Sequence, residues 1–297
     1  MAVLAQTGDE WAAHYGRYEA SSATNQQAPL LGGRPFRERT FTGTIITVAN
    51  VYSPQLDNRR DITIYLPPGY DQGQERFPVV YMQDGQNLFD ASSSFSGVEW
   101  GVDEAMEALA ERGVRAIVVG IANMGARRML EYSPFEHPDH GPGLGDAYLA
   151  FLADTLKPYL DRSFRTRPNP SNTLIVGSSM GGLISLYALL CRPDVFGKVG
   201  ALSPSLWYAE RAIFQTVREA AKGQGVLYMD VGSAEGDVMQ MQARQLARIL
   251  SRHGYQAGTN LRFNEIIGAG HNEAAWSNRI GPALAWLLGA PHQRRRR

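Results

Sequence analysis

The chain has 297 residues, of which 44% are hydrophobic, and its 29 basic side chains balance its 29 acidic ones, so the formal net charge is zero. A neutral charge balance gives no electrostatic reason to expect a nucleic-acid partner or an anionic surface. No apolar run approaches the roughly 20 residues that a membrane-spanning helix needs, and the first residues lack the basic segment of a signal peptide. We therefore expect a cytoplasmic protein with no nucleic-acid or membrane partner.

The chain divides into three predicted regions. Residues 1–38 are predicted to be an N-terminal appendage of helix and loop, whose favoured role is to cover a sheet edge or to contact a second copy of the chain in a homo-oligomer. Residues 39–290 show no internal repeat and no low-complexity linker, which predicts one domain. Four consecutive arginines within residues 291–297 predict a basic, disordered tail.

Strands and helices alternate along the predicted domain. Strands are predicted at 41–48, 61–66, 77–82, 115–121, 173–176, 199–202, 226–231 and 261–267. The first two alternate or mix apolar with polar residues, as half-buried antiparallel strands do, whereas most later ones are continuous apolar runs. Strands that alternate with helices require parallel pairing and right-handed crossovers. We therefore predict an α/β fold of the α/β-hydrolase type, with a mostly parallel sheet of about eight strands and helices on both faces.

Two of the predicted helices have an unusual residue near their C-terminal end. The helix at 146–160 contains Pro158 near its end, where proline should bend or stop it. The helix after the fifth strand ends near Cys191, the only cysteine, for which we predict a small buried thiol. A single cysteine excludes an internal disulfide, which fits a reducing compartment without requiring one.

The pentapeptide Gly177-Ser-Ser-Met-Gly181 joins the fifth strand to this helix. Strand, G-x-S-x-G and helix is the context of a nucleophile elbow, in which Ser179 occupies a tight, strained turn. Glycines permit the close approaches of such a turn, and the helix N-terminus behind it favours negative charge on a nearby oxygen. The alternative is a strand-to-helix turn without chemistry, so the partners of the serine decide between the two.

The partners are sought after the other strands, because ligands bind at the carboxyl ends of strands in such sheets. His271 follows the last strand in a glycine-rich loop, and an imidazole can accept the serine proton and return it to a leaving alcohol. Glu235 and Asp237 follow the seventh strand, and serine, acid, histidine is the chain order of α/β-hydrolase triads. Glu235 is preferred because it lies where the chain leaves the sheet. Asp237 is the alternative, unless it is the N-cap of the next helix, and Asp230 lies inside the strand.

The long loop after the fourth strand carries further polar side chains. His137 and His140 are a conceivable metal pair, but two histidines on a loop make no site, so no metal is predicted. Asn123, Arg128 and Glu131 either line the substrate pocket or, through an Arg128–Glu131 pair, belong to the loop's own structure.

Three aromatic residues are left open between two roles. Trp100, Trp207 and Tyr208 either form an apolar pocket wall or belong to the core and rim. Of these, Trp207 is predicted to contact substrate.

Several segments occur in an order that is similar to one known family. They are the pentapeptide around Ser179, Tyr81-Met-Gln-Asp-Gly-Gln-Asn-Leu-Phe-Asp90, Trp100-Gly-Val-Asp103, Glu131-Tyr132, Ser203-Pro-Ser-Leu-Trp207 and Gly270-His-Asn-Glu-Ala-Ala-Trp276. Over residues 41–290 the chain resembles the esterase D-like family of serine esterases. That family includes enterochelin esterases, feruloyl and acetylxylan esterases, S-formylglutathione hydrolase and the mycolyltransferases.

The resemblance implies roles for individual residues. Ser179 matches the nucleophile, His271 the base, and Glu235 the acid that follows a Gly-x-x segment. The backbone N–H groups of Gln86 and Met180 match the family's oxyanion hole. The implied activity is hydrolysis of carboxylic esters through an acyl-enzyme, without a cofactor.

The sequence indicates the substrate less closely than the catalytic residues. A small-molecule or saccharide ester is the expected partner. Asp84 and Asn123 are predicted to contact it, although Asp84 has the alternative of holding its loop by hydrogen bonds to backbone N–H groups. The competing functions are an acyltransferase that uses the same acyl-enzyme and a non-catalytic binding module on a hydrolase fold.

Overall fold

The structure is a computed structural model that describes residues 18–20 and 39–289. The strands are β1 Tyr18–Ala20, β2 Thr44–Ser53, β3 Asn58–Leu66, β4 Val79–Met82, β5 Ile117–Ile121, β6 Thr173–Ser178, β7 Lys198–Leu202, β8 Val226–Gly232 and β9 Leu261–Ile266. The α-helices are α1 Val102–Ala110, α2 Arg128–Glu131, α3 Gly145–Ala150, α4 Lys157–Ser163, α5 Met180–Cys191, α6 Tyr208–Arg211, α7 Ile213–Glu219, α8 Asp237–Arg252 and α9 Glu273–Leu287. Most of the predicted appendage and all of the predicted basic tail lie outside the described residues.

The strands form one sheet in the order β1-β2-β3-β5-β4-β6-β7-β8-β9. β5, β4, β6, β7, β8 and β9 pair in parallel, while β3 pairs antiparallel with β5 and β2 antiparallel with β3. Two antiparallel strands followed by six parallel ones, with helices on both faces, confirm the predicted α/β-hydrolase fold. β1, from the predicted appendage, adds a ninth strand by pairing along the edge of β2.

The sheet separates two hydrophobic cores, and β4 shows how one strand contributes to both. Val80 and Met82 point into the cluster formed with α1 and α9, whereas Tyr81 points into the cluster formed with α3, α5 and α7. All three side chains are buried. Burial of a large apolar side chain contributes about 1.5–3 kcal/mol, so both faces of the central strands stabilise the sheet.

The first long strand extends further than the sequence pattern indicates. The prediction ends it at Val48, but β2 continues to Ser53. The register shifts between Val48 and Val51, and Asn50 adopts a left-handed conformation with φ 57°. This bulge inserts one extra residue and interrupts the alternation on which the prediction depends.

Pro158 does not stop its helix. The chain is helical from α3 through a π-helical segment, Phe151–Leu156, and on through α4 to Ser163. Pro158 lies in the first turn of α4, directly after the wider π turns. Proline lacks the N–H that would bond to the preceding turn, so a π segment at this point accommodates it without ending the helix.

The prediction of a buried thiol at Cys191 is wrong, because this side chain is exposed. Cys191 is the last residue of α5, where the helix leaves the core, and Ala188 and Leu189 take the buried positions of the last turns. Among residues 18–20 and 39–289, no helix is both long and apolar enough to cross a membrane.

Candidate active site

The candidate site lies at the carboxyl ends of the parallel strands. Ser179 follows β6, Glu235 follows β8 and His271 follows β9. Because β6, β7, β8 and β9 are consecutive parallel neighbours, their carboxyl ends share one edge of the sheet. Residues that are far apart in the sequence therefore come together there.

The turn from β6 to α5 holds Ser179 in a conformation that residues other than glycine rarely adopt, with φ 55° and ψ −120°. Its backbone N–H donates to the Leu202 carbonyl in β7 at 3.0 Å, which fixes the turn on the sheet. A side-chain carbon at Gly177 would lie 2.6 Å from the carbonyl carbon of Gly181. Only glycine therefore allows this close approach of strand and helix, and the strained turn presents the Ser179 hydroxyl at the sheet edge.

A continuous chain of hydrogen bonds joins the three predicted residues. The Ser179 Oγ lies 3.0 Å from the His271 Nε2, and the His271 Nδ1 lies 3.0 Å from the Glu235 Oε2. The Glu235 side chain is fully buried, whereas that of His271 is 36% exposed. The His271 imidazole thus has access to solvent, while the Glu235 carboxylate is shielded from water.

Asp237 does not take part in this chain. It is the first residue of α8 and is exposed, the N-cap position belongs to Gly236, and no side chain caps the helix. The expectation that Asp237 is an N-cap is therefore wrong by one position. Its charge still lies in the first turn, where the helix dipole favours an anion.

The surroundings of Glu235 keep it ionised. Burial is the largest influence and would raise the pKa, but hydrogen bonds from His271, Ser203 and the backbone of Gly232 outweigh it and lower the pKa of Glu235 below its ordinary value. The Ser203 Oγ donates to Glu235 Oε1 at 2.5 Å and the Gly232 N–H donates to the same oxygen at 2.7 Å. Glu235 is therefore a carboxylate that accepts a hydrogen bond from the His271 Nδ1–H.

Arg279 of α9 lies against the Glu235 carboxylate, and it is not among the residues predicted from the sequence. Its guanidinium donates to the Asp230 Oδ1 at 3.0 Å and to the Ser203 Oγ at 3.1 Å, and it lies 3.4 Å from the Glu235 Oε1. Burial raises the pKa of Asp230 to about 6, although the Arg279 charge opposes this shift. An arginine three residues after Trp276, on the apolar face of the predicted helix, was the signal that could have revealed this role.

The two predicted oxyanion donors belong to the segments that follow β4 and β6. Gln86 belongs to a 3₁₀ turn directly after β4, and Met180 is the first residue of α5. Within the described ranges, neither backbone N–H donates to another protein group. A side-chain carbon at Gly85 would lie 2.5 Å from the Gly120 carbonyl carbon, so the turn can approach β5 only with glycine there.

Asp84 anchors this turn. Its carboxylate accepts from the Arg128 Nε at 2.7 Å and the Arg128 Nη2 at 2.8 Å, and from the Asn123 Nδ2 at 2.7 Å. Its own backbone N–H donates to the Tyr132 hydroxyl. Both carboxylate oxygens are therefore engaged by side chains rather than by the backbone N–H groups considered from the sequence. Contact of Asp84 or Asn123 with substrate stays a prediction.

The Arg128–Glu131 pair considered from the sequence does not form. Arg128 binds Asp84, and Glu131 instead binds Arg60 of β3 at 2.9 Å. Both side chains of the Arg60–Glu131 pair are fully buried. Two separate ion pairs thus secure the loop that follows β5, one of them beside the site.

The aromatic residues divide between core and rim. Trp100 is buried against Trp276, and Tyr208 is buried with its ring stacked on His137 at 4.9 Å, whereas Trp207 is 45% exposed. Only Trp207 of the three predicted aromatics can offer a large surface to a ligand, and its contact with substrate stays a prediction. His140 stacks on the same tyrosine, and the described residues contain no group of three or more side chains suited to a metal ion.

The chain is similar to several known proteins in sequence or in structure. The chain is 29% identical to uncharacterized protein YbbA of Bacillus subtilis (strain 168), over 78% of this chain and 93% of that protein. It is 25% identical to the iron(III) enterobactin esterase of Dickeya dadantii (strain 3937), over 82% of this chain and 55% of that protein. The crystal structure of BES protein from Bacillus cereus superimposes with a TM-score of 0.66 at 21% identity, over 90% of this chain and 99% of that one.

At that identity, the structural similarity to the BES protein bears on the fold alone. The family assignment has a separate basis. Residues 53–287, most of the chain, match the model of the family described as "Putative esterase". The chain therefore belongs to this family of esterases.

Proposed function

We propose that this esterase is a serine carboxylic-ester hydrolase that uses Ser179, His271 and Glu235 as a catalytic triad and forms an acyl-enzyme. The observation that carries the proposal is the unbroken chain of hydrogen bonds from Ser179 Oγ through His271 to Glu235, with 3.0 Å at each step. A serine hydroxyl is a weak nucleophile unless a base removes its proton during attack. The His271 Nε2 is positioned to do so.

The proposed reaction has two halves. In the first, the Ser179 Oγ attacks the ester carbonyl while its proton passes to the His271 Nε2, which then protonates the departing alcohol. In the second, His271 takes a proton from water, the water oxygen attacks the acyl-enzyme carbonyl, and the Ser179 Oγ departs with the bonding electron pair and receives the proton from His271. The Glu235 carboxylate stabilises the imidazolium that exists between these transfers.

The negative charge on the carbonyl oxygen is assigned to the backbone N–H groups of Gln86 and Met180. Support comes from their lack of other partners within the described ranges and from the position of Met180 at the N-terminus of α5. A helix N-terminus favours nearby negative charge. Preorganised donors of this kind typically contribute factors of about 10² to 10³ each in kcat.

Arg128 is proposed to position this oxyanion hole through Asp84, which precedes Gly85 and Gln86 in the same turn. We expect Arg128→Gln to lower kcat about 10- to 100-fold, because the released Asp84 no longer fixes the turn that presents the Gln86 N–H. The measurement is kcat for hydrolysis of p-nitrophenyl acetate, with melting temperatures recorded for both proteins.

Arg192→Gln is the matched control for this experiment. The Arg192 side chain is 27% exposed, against 25% for Arg128, and it also pairs with carboxylates. It lies just after α5, at the end opposite Ser179. The control should keep kcat within about twofold of wild type. Equal effects of the two substitutions would contradict a positioning role for Arg128.

The substrate is proposed to be a small-molecule or saccharide ester. The relative from Dickeya dadantii is named for iron(III) enterobactin, and a relative from Xylanibacter ruminicola is named an endo-1,4-beta-xylanase/feruloyl esterase. These names suggest the ester classes to assay. Trp207 is the exposed aromatic side chain that we propose for substrate contact.

A panel of p-nitrophenyl esters of increasing acyl length, together with acetylated and feruloylated saccharides, tests the proposal. We expect turnover of at least one ester and labelling by a fluorophosphonate. Product analysis with water alone and with added alcohol or sugar separates hydrolysis from acyl transfer. A folded protein that hydrolyses no ester and takes up no fluorophosphonate would contradict the proposed activity and favour the binding module.

A further inference from the structure

A second serine hydroxyl lies against the proposed nucleophile. The Ser205 Oγ is 3.1 Å from the Ser179 Oγ, and the Ser205 backbone N–H donates to the Ser179 carbonyl at 3.0 Å. Ser205 is 1% exposed and belongs to the loop after β7. Two hydrogen bonds thus hold it against the residue whose oxygen attacks the ester.

The direction of the hydrogen bond between the two hydroxyls follows from the protons available. The Glu235 carboxylate can only accept, so the His271 Nδ1 must donate to it. A neutral imidazole carries one N–H, so its Nε2 accepts the single proton of Ser179. Ser179 then has no proton left for Ser205, and the Ser205 O–H donates to the Ser179 Oγ.

We propose that Ser205 is a further catalytic residue, which donates a hydrogen bond to the nucleophilic oxygen whenever that oxygen carries negative charge. This inference rests on the proposed function. During attack, the Ser179 proton moves to His271 while the new bond from Oγ to the carbonyl carbon is still forming. During deacylation that bond breaks, and the Oγ takes the electron pair before His271 returns the proton.

In both transition states the Ser205 O–H faces an oxygen with partial negative charge. Hydrogen bonds to a charged acceptor are roughly twice as strong as those to a neutral one. The hydrogen bond from Ser205 therefore stabilises the transition states more than the resting enzyme, which is the condition for raising kcat. In the acyl-enzyme itself the Ser179 Oγ is an ester oxygen with little charge, so the hydrogen bond from Ser205 stabilises that state only weakly.

The loop that carries Ser205 also carries Ser203, and the two hydroxyls serve opposite ends of the triad. Ser203 donates to the Glu235 Oε1, away from the reacting atoms, and its backbone is left-handed with φ 44°. Pro204 lies between them and has a fixed φ. The segment therefore spaces one hydroxyl for the acid and another for the nucleophile, but only Ser205 touches a reacting atom.

The test is Ser205→Ala in the full chain, assayed with aryl esters that differ in leaving group. We expect kcat to fall roughly 5- to 30-fold with KM within about threefold, because the lost donor acts on the transition state. The factor by which the deacylation rate falls should be the same for all esters that share one acyl group, whatever their leaving group. The reason is that the Ser179 Oγ is always the departing oxygen in that step.

Ser53→Ala is the matched control, because Ser53 is also a buried serine and is the last residue of β2, where its hydroxyl accepts from the Leu56 N–H of the following turn. It should keep kcat within about twofold. Ser205→Cys leaves no cavity and is the second variant should the alanine variant fail to melt cooperatively, and its weak thiol donor should also lower kcat.

Wild-type kcat in Ser205→Ala, or in Ser205→Cys, would overturn the inference, and so would a loss confined to KM. These outcomes differ from failure of the proposed function. If the function itself is wrong, the wild-type protein neither hydrolyses esters nor takes up a fluorophosphonate. If only the inference is wrong, wild type does both and the Ser205 variants match it.

Discussion

Ser179→Ala should lower kcat for ester hydrolysis by about 10⁴-fold or more. The change deletes the oxygen that forms the acyl-enzyme and leaves the oxyanion donors in place. The fold should survive, because the strained turn is held by Gly177 and by the bond from the Ser179 N–H to Leu202, neither of which involves the hydroxyl. Steady-state hydrolysis of p-nitrophenyl acetate measures the effect.

Ser178→Ala is the matched control, since Ser178 is the neighbouring serine of the same pentapeptide and is buried at the end of β6. We expect it to retain most of the activity. A folded Ser179→Ala protein that keeps more than about a tenth of wild-type kcat would rule out Ser179 as the nucleophile.

Glu235→Gln should also lower kcat strongly, by about 10²- to 10⁴-fold. The amide keeps the shape of the side chain, but it removes the negative charge that stabilises the imidazolium and presents the His271 ring with an N–H or a neutral oxygen instead. Stability should change little, because Arg279 retains its 3.0 Å ion pair with Asp230. Measurements of kcat and of melting temperature separate the two effects.

Asp237→Asn controls for the loss of a carboxylate in the same loop. Asp237 is exposed, and no side-chain cap of α8 depends on it, so we expect nearly wild-type kcat and a stability change of a few tenths of a kcal/mol. If Asp237→Asn loses the rate and Glu235→Gln does not, Asp237 is the acid. If neither variant loses the rate, the enzyme works with a serine–histidine dyad.

Local patterns in the sequence predicted the sheet and pointed to the residues that meet at its edge. The pentapeptide around Ser179 indicates its own turn, because glycine spacing and the flanking strand and helix are all local. His271 and Glu235 are predictable because parallel strands bring their carboxyl ends to one edge of the sheet. This is a property of the fold class and does not depend on exact distances.

The partners of the residues that support the site do not follow from local patterns, because they are distant in the sequence. Arg279 and Ser203 are 76 residues apart, and Arg128 and Asp84 are 44 apart. No local spacing indicates that Arg128 turns towards Asp84 and leaves Glu131 to Arg60. These pairings depend on where β3 and the loop after β5 lie in three dimensions, which the sequence alone does not give.

Short-range deviations explain the remaining differences. The bulge in β2 and the π turns before Pro158 are both backbone irregularities, which the hydrophobic periodicity of the sequence does not indicate. Cys191 was misjudged because the apolar pattern of α5 continues to its last turn, although the helix has by then left the core.

The most direct test of the account is to identify the residue that becomes covalently modified. Wild-type protein is treated with a fluorophosphonate, its intact mass is measured, and the modified peptide is sequenced by mass spectrometry. We expect one adduct per chain, located on Ser179. An active protein with no adduct, or with the adduct on another residue, would contradict the proposal that hydrolysis proceeds through an acyl-enzyme at Ser179.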